Sequence, residues 1–87
     1  MLNDQIENFL AQKKVDKTPV QIYFKTRSTI TGLFIQQSND YVELKAKNFW
    51  RIVAEANIDA YQKSNDINLT RIFNGSEFTR LVPGKDN

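Results

Sequence analysis

Three short runs constrain this chain more than anything else in it: Thr18-Pro19-Val20-Gln21-Ile22-Tyr23-Phe24, then Ile30-Thr31-Gly32, then Ile52-Val53-Ala54-Glu55-Ala56-Asn57-Ile58. In the first, Val20, Ile22 and Phe24 fall on one side of an extended chain and Gln21, Tyr23 and Lys25 on the other, the alternation of a strand with one buried face. Gly32 lacks a side chain where a strand must bend tightly or admit a neighbouring backbone. Two alternating strands, a glycine at the bend and a closing pair of strands describe a small, strongly curved antiparallel barrel. In a barrel this small, function depends on what the exposed faces and open edges bind.

Composition then removes whole classes of activity. At 87 residues, 40% hydrophobic and 25% charged, the chain has the size of one globular domain that folds alone only marginally, so association would help it. It has no cysteine, hence no disulfide framework and no thiolate chemistry, which fits an intracellular protein. It has no histidine either, so the usual general base near neutral pH and the usual nitrogen ligand for a metal are both missing. The carboxylates Asp40, Glu43, Glu55 and Asp59 show no spacing of a metal or acid/base pair, and no glycine-rich phosphate loop is present. An enzyme is not expected, nor a cofactor. No apolar run approaches the ~20 residues of a membrane span, and the N-terminus lacks the order of a secretory signal. The expectation is a soluble, cytoplasmic chain with no membrane partner. A net charge of +2 permits binding to polyanions without demanding it.

Along the chain, Asn3 or Asp4 can cap a first helix over 3–14, with Glu7 three residues after Asp4 as in a capping box. Its short apolar stripe, Ile6, Phe9 and Leu10, must pack on something, because a helix of this length is unstable alone. From 19 to 62 the pattern reads as five strands. After 20–24 come 30–37, then 41–46 beyond the turn cluster Ser38-Asn39-Asp40, then 50–56 and 58–62, with Asn57 able to take unusual backbone geometry between the last two. Trp50, beside a turn, reads as a core or interface anchor before it reads as a base platform. In the remaining segment, 67–73 and 78–82 flank Asn74-Gly75, a pair suited to a type I′ turn, so a hairpin is expected over 63–87.

This order of elements resembles the Sm-like fold, and its residues resemble the bacterial branch, the RNA chaperone Hfq family. Phe9-Leu10, the basic stretch after it, Pro19-Val20, Ile22-Tyr23 and Gly32 lie on the family pattern without a gap. After one inserted residue the register resumes through Asp40-Tyr41-Val42 and residues 53–58. The resemblance covers about 9–62 and implies an atypical member. Where the family carries Tyr-Lys-His near the pore of its ring, this chain has Ala54-Glu55-Ala56, so the proximal U-rich site, at Asp40, Tyr41 and Glu55, would be impaired.

The resemblance also implies a distal RNA face at Tyr23, where Lys25, Arg27 and Arg51 stand as candidate phosphate or stacking contacts although Arg27-Ser28-Thr29 departs from the family's turn, and a basic rim partly matched by Lys13, Lys14 and Lys17. The fold class expected is thus mainly β: an N-terminal helix and a five-stranded, strongly bent Sm-like (SH3-like) barrel over 1–62, with 63–87 as a C-terminal hairpin extension. The function expected is single-stranded RNA binding on a homo-oligomeric, hexameric ring in post-transcriptional regulation, the ring closing through the strands around 51–54 and 58–62. The alternative is an Sm- or SH3-like protein-interaction or assembly module that binds no RNA.

Overall fold

The computed structural model describes residues 1–13 and 18–84. Helix α1 (Asn3–Lys13) opens the chain. Ile6 and Leu10 are one turn apart, so both point the same way, and they are 0% and 3% exposed. The helix start is closed by the Leu2 amide donating to Gln5 Oε1 at 2.8 Å rather than by an Asp4–Glu7 box. Glu7 instead accepts from Lys45 Nζ at 2.7 Å.

Strands β1 (Val20–Phe24) and β2 (Ile30–Phe34) pair antiparallel, as their alternation requires. A short helix α2 (Tyr41–Ala46), strand β3 (Phe49–Ala54), helix α3 (Ile58–Ser64), and strands β4 (Thr70–Asn74) and β5 (Phe78–Pro83) follow. The sheet order is β4-β3-β2-β1-β5, with every neighbouring pair antiparallel. Gly32 lies between Val20 and Ala54 in the register. A Cβ there would lie 2.6 Å from Ile52 Cγ2 and 2.8 Å from the Val53 carbonyl oxygen, so the close approach of β3 requires glycine.

Side-chain alternation divides the core in two. On one face Val20, Ile22, Phe34, Trp50, Ile52, Phe78 and Leu81 meet Ile6 and Leu10 of α1. On the other, Leu33, Ile35 and Val53 are covered by Ile58 and Tyr61 of α3. Through the larger core runs a chain of aromatic contacts. Tyr41 meets Trp50, Trp50 meets Phe34, Phe34 meets Phe78, Phe78 meets Phe24, and Phe24 meets Phe73, with centroids 5.3 to 6.4 Å apart. All five contacts are edge-on or tilted, arrangements that suit the ring quadrupoles, and the sequence anchor Trp50 is 1% exposed with its Nε1 donating to Asn48 Oδ1 at 2.8 Å.

Several expectations are corrected. Residues 41–46 form α2, not a strand, because both ladders of β3 are already occupied, by β2 and by β4. In a helix, Tyr41 and Lys45 share a side and meet Trp50 and Glu7, leaving Val42 68% exposed. Residues 58–62 are likewise helical, since the i, i+3 pair Ile58 and Tyr61 is what caps Leu33, Ile35 and Val53. Asn57 has an ordinary negative φ, while Asn48 (φ 63°) and Asn65 (φ 54°) take the left-handed geometry.

The Asn74-Gly75 pair makes no type I′ turn, for Gly75 has no positive φ. A 3-10 turn, Gly75–Glu77, follows instead, with Asn74 Oδ1 accepting from the Ser76 amide. The segment expected as a hairpin extension therefore supplies β4 and β5, which pair with β3 and β1 and not with each other. The chain is mixed α/β rather than mainly β, and its sheet stays open rather than closing into a barrel.

Candidate functional site

At one end of the larger core, the sheet leaves an opening between the β1–β2 turn, β4 and the turn before β5. Its floor is built by alternation. Phe24, last in β1, and Phe73, on β4 opposite Trp50, both turn toward the core, and their rings stand 5.8 Å apart at 47°. Phe24 is held from behind by Phe78, edge-on at 5.3 Å. A cavity of about 380 Å³ lies over these two rings, bordered also by Thr26, Arg27, Ile72, Asn74 and Glu77. A second compartment of about 140 Å³ shares Arg27 and Phe73 with it and reaches Ile52, Asn57, Leu69 and Arg71.

Arg27 is exposed in the turn, yet its guanidinium carbon stands 5.3 Å from the Phe24 centroid and 5.7 Å from that of Phe73. It is a planar cation laid over two rings, attracted by their negative faces. Among the described residues neither Arg27 nor Arg71 has a carboxylate within ion-pair distance. Lys45, Arg51 and Lys63, by contrast, are paired with Glu7, Asp40 and Asp59.

The residues expected to bind RNA are distributed differently from the family pattern. Tyr23 points away from the core and is half-buried, with Arg80, its cross-strand partner on β5, 4.4 Å over its ring. Lys25 is exposed at the end of β1, its amide donating to the Glu77 carbonyl. Arg51 is turned inward: one guanidinium nitrogen donates to Thr70 Oγ1 at 2.8 Å and the other to Asp40. The structure thus joins Asp40 and Arg51, one from each proposed face, in a single ion pair. The Arg51 guanidinium holds the Asp40 carboxyl below its usual range.

Tyr41 packs against Trp50 at 6.2 Å and lies under Lys45 Nζ at 5.1 Å, and burial raises its hydroxyl pKa. It belongs to the core chain of rings rather than to an open platform. Glu55 is exposed on the 3-10 turn Glu55–Asn57, with no ion-pair partner among the described residues. Lys13 ends α1, while Lys14 and Lys17 lie outside the described residues.

Phe24, Phe73, Arg71 and Arg80 were not among the expected site residues. The signal for the last three was present in Thr70-Arg71-Ile72-Phe73 and Phe78-Thr79-Arg80-Leu81, two runs that interleave cations with apolar residues. Their periodicity alone does not say that they join the main sheet, which is what brings them to the cleft and to Tyr23. Among the described residues no helix is long and apolar enough to cross a membrane, and no group of three or more acidic side chains is placed to hold a metal ion. Comparison of the chain with protein-family models, with curated proteins and with solved structures finds no match in any of the three.

Proposed function

We propose that this chain is a single-stranded RNA-binding module that acts by stacking and backbone charge and performs no chemistry. The observation that carries the reading is the pair Arg27 and Arg71, two guanidiniums with no ion pair among the described residues, which line adjoining compartments that share Phe73, the larger one also bordered by Phe24. Cations that neutralise phosphates, set beside rings on which bases stack, are what a single strand needs from a protein. Tyr23 with Arg80, and Lys25 beside them, place a further ring and two cations on the opposite face of β1 and β5. The resemblance of residues 9–62 to the Hfq family supports the same ligand, with the contact surface moved away from Arg51, Asp40 and Tyr41.

A homo-oligomeric ring belongs to the proposal only in altered form. Residues of β3 are paired on both sides and 58–62 are helical, so a contact between copies would use the outer edges of β4 and β5, where backbone groups lack a ladder partner.

The test is fluorescence anisotropy of a labelled single-stranded RNA at increasing salt, with the native chain and with Arg27→Glu/Arg71→Glu. The native chain should bind with an affinity that falls as salt rises. The double variant should bind at least about tenfold more weakly and lower the salt slope by about 1.4, the value for two lost phosphate contacts on a single strand. Binding that ignores both salt and charge reversal sinks the reading. Ile72, 49% exposed on the outer strand β4, favours the second reading, a protein-interaction or assembly module. Absence of RNA binding at low salt would select it.

A further inference from the structure

We propose that the cleft over Phe24 and Phe73 is a pocket for one nucleotide, with Arg27 as its movable cover and Glu77 as the group that prefers an amino-bearing base to uracil. The choice of a nucleotide as ligand rests on the RNA reading above; the internal layout of the pocket rests on the cleft itself.

The cover is replaceable. Arg27 has no hydrogen bond and no ion pair among the described residues, and its contact is the stacking of a planar group on two rings. An exposed cation–π contact is weaker than the stacking of a base on an aromatic side chain. A base entering the cleft would therefore displace the guanidinium, which sits on an exposed turn and is free to swing onto the phosphate. The rings themselves stay in place, because Phe24 is braced edge-on by buried Phe78 and Phe73 stands opposite buried Trp50. At about 380 Å³ the larger compartment falls in the usual range for small-ligand pockets.

Charge orients the ligand. Among the described residues Glu77 is the one carboxylate bordering the larger compartment, and Arg71 borders the smaller. A phosphate beside Glu77 would be repelled, so the base occupies the larger compartment and the phosphate is directed toward Arg71 and the displaced Arg27. A carboxylate accepts a hydrogen bond from the exocyclic amino group of cytosine. Uracil presents a carbonyl oxygen at that position, and its N3–H is flanked by two carbonyl oxygens that face the carboxylate unfavourably. Asn74 reinforces the pattern: its Oδ1 is engaged by the Ser76 amide and hydroxyl, which leaves its side-chain amide hydrogens to donate to a ring nitrogen or carbonyl.

CMP and UMP isolate this feature, since they differ at the group Glu77 would read. In NMR titrations of the full chain at millimolar nucleotide, both should move the amides of Arg27, Phe73 and Asn74. CMP should bind about tenfold more tightly than UMP. Glu77→Gln should collapse that ratio to below about threefold while leaving the thermal unfolding of the free chain unchanged, because the Glu77 side chain is exposed and its backbone contact to Lys25 is kept. Equal binding of CMP and UMP, an unchanged ratio in Glu77→Gln, or shifts confined to other surfaces would overturn the pocket. A parallel titration with oligocytidylate separates the two claims. Salt-dependent oligomer binding without CMP discrimination removes the pocket and leaves RNA binding standing, whereas CMP discrimination without oligomer binding upholds the pocket and removes the polymer reading.

Discussion

Arg51 illustrates how one side chain can be claimed by the fold. Its guanidinium joins Thr70 and Asp40 across the β3–β4 pair and the start of α2, and its Nε, with Asp40 Oδ1 and Ser38 Oγ, is buried without a hydrogen-bond partner among the described residues. Removing Asp40's charge would leave the guanidinium uncompensated in a largely covered place. Asp40→Asn should therefore destabilise the chain at neutral pH. The pKa of Asp40 is depressed in the fold by Arg51, so its contribution is present above the unfolded value, about 3.9, and is lost as pH falls through the lower folded value. The stability difference between native chain and Asp40→Asn, followed by urea unfolding from pH 7 downward, should be largest near neutrality and shrink below about pH 4. A difference that grows in acid would contradict this pairing. Gly75 shows the opposite case, a residue required for what it lacks. A Cβ there would collide with Asn48 Oδ1 and lie 2.7 Å from both Ile6 Cδ1 and Trp50 Nε1, at the point where Asn48 also receives the Gly75 amide and donates to the Met1 carbonyl.

At the scale of elements, the two helices that cover the sheet are unequal. α1 inserts Ile6 and Leu10 into the larger core with almost no exposure, whereas α3 offers only partly buried Ile58 and Tyr61 to three buried residues. Truncating a fully buried branched side chain removes its transfer free energy and leaves a cavity. Ile6→Ala should cost about 2–5 kcal/mol, and Ile58→Ala clearly less, since its site is open to water and collapses more easily. Urea midpoints at unchanged slope would measure both; equal losses would mean that α3 is as much a part of the core as α1. β4 and β5 differ from the helices in kind, because each supplies backbone pairing as well as side chains. Phe78 and Leu81 are core residues of β5, and Phe73 of β4 packs against the same cluster.

For the whole molecule this makes residues 70–84 indispensable to the fold built by the first sixty. A chain ending at residue 66 would expose both ladders of β1 and β3 now paired with β5 and β4, and it would lose Phe73, Phe78 and Leu81 together. It should be unfolded, with a collapsed amide proton dispersion in NMR. A dispersed spectrum from that fragment would show that 1–62 stands as a domain after all. The sequence by itself determined the features that depend on near neighbours: a strand at 20–24 and the start of the second at Ile30, though that strand ends at Phe34 rather than at 37, the buried stripe Ile6 and Leu10, the close backbone approach at Gly32, the burial of Trp50 and the outward direction of Tyr23. Each is written in a period of two or four residues, or in the absence of a side chain, and needs no knowledge of what lies opposite. The tertiary structure alone decided whether 41–46 and 58–62 would be strands or helices, because short alternating apolar runs fit both and only the prior occupation of β3 by β2 and β4 removes the strand. It also decided the cleft. Arg27 meets Phe73, and Tyr23 meets Arg80, through pairings between residues far apart in the chain, and such pairings leave no periodic trace in either partner's own segment.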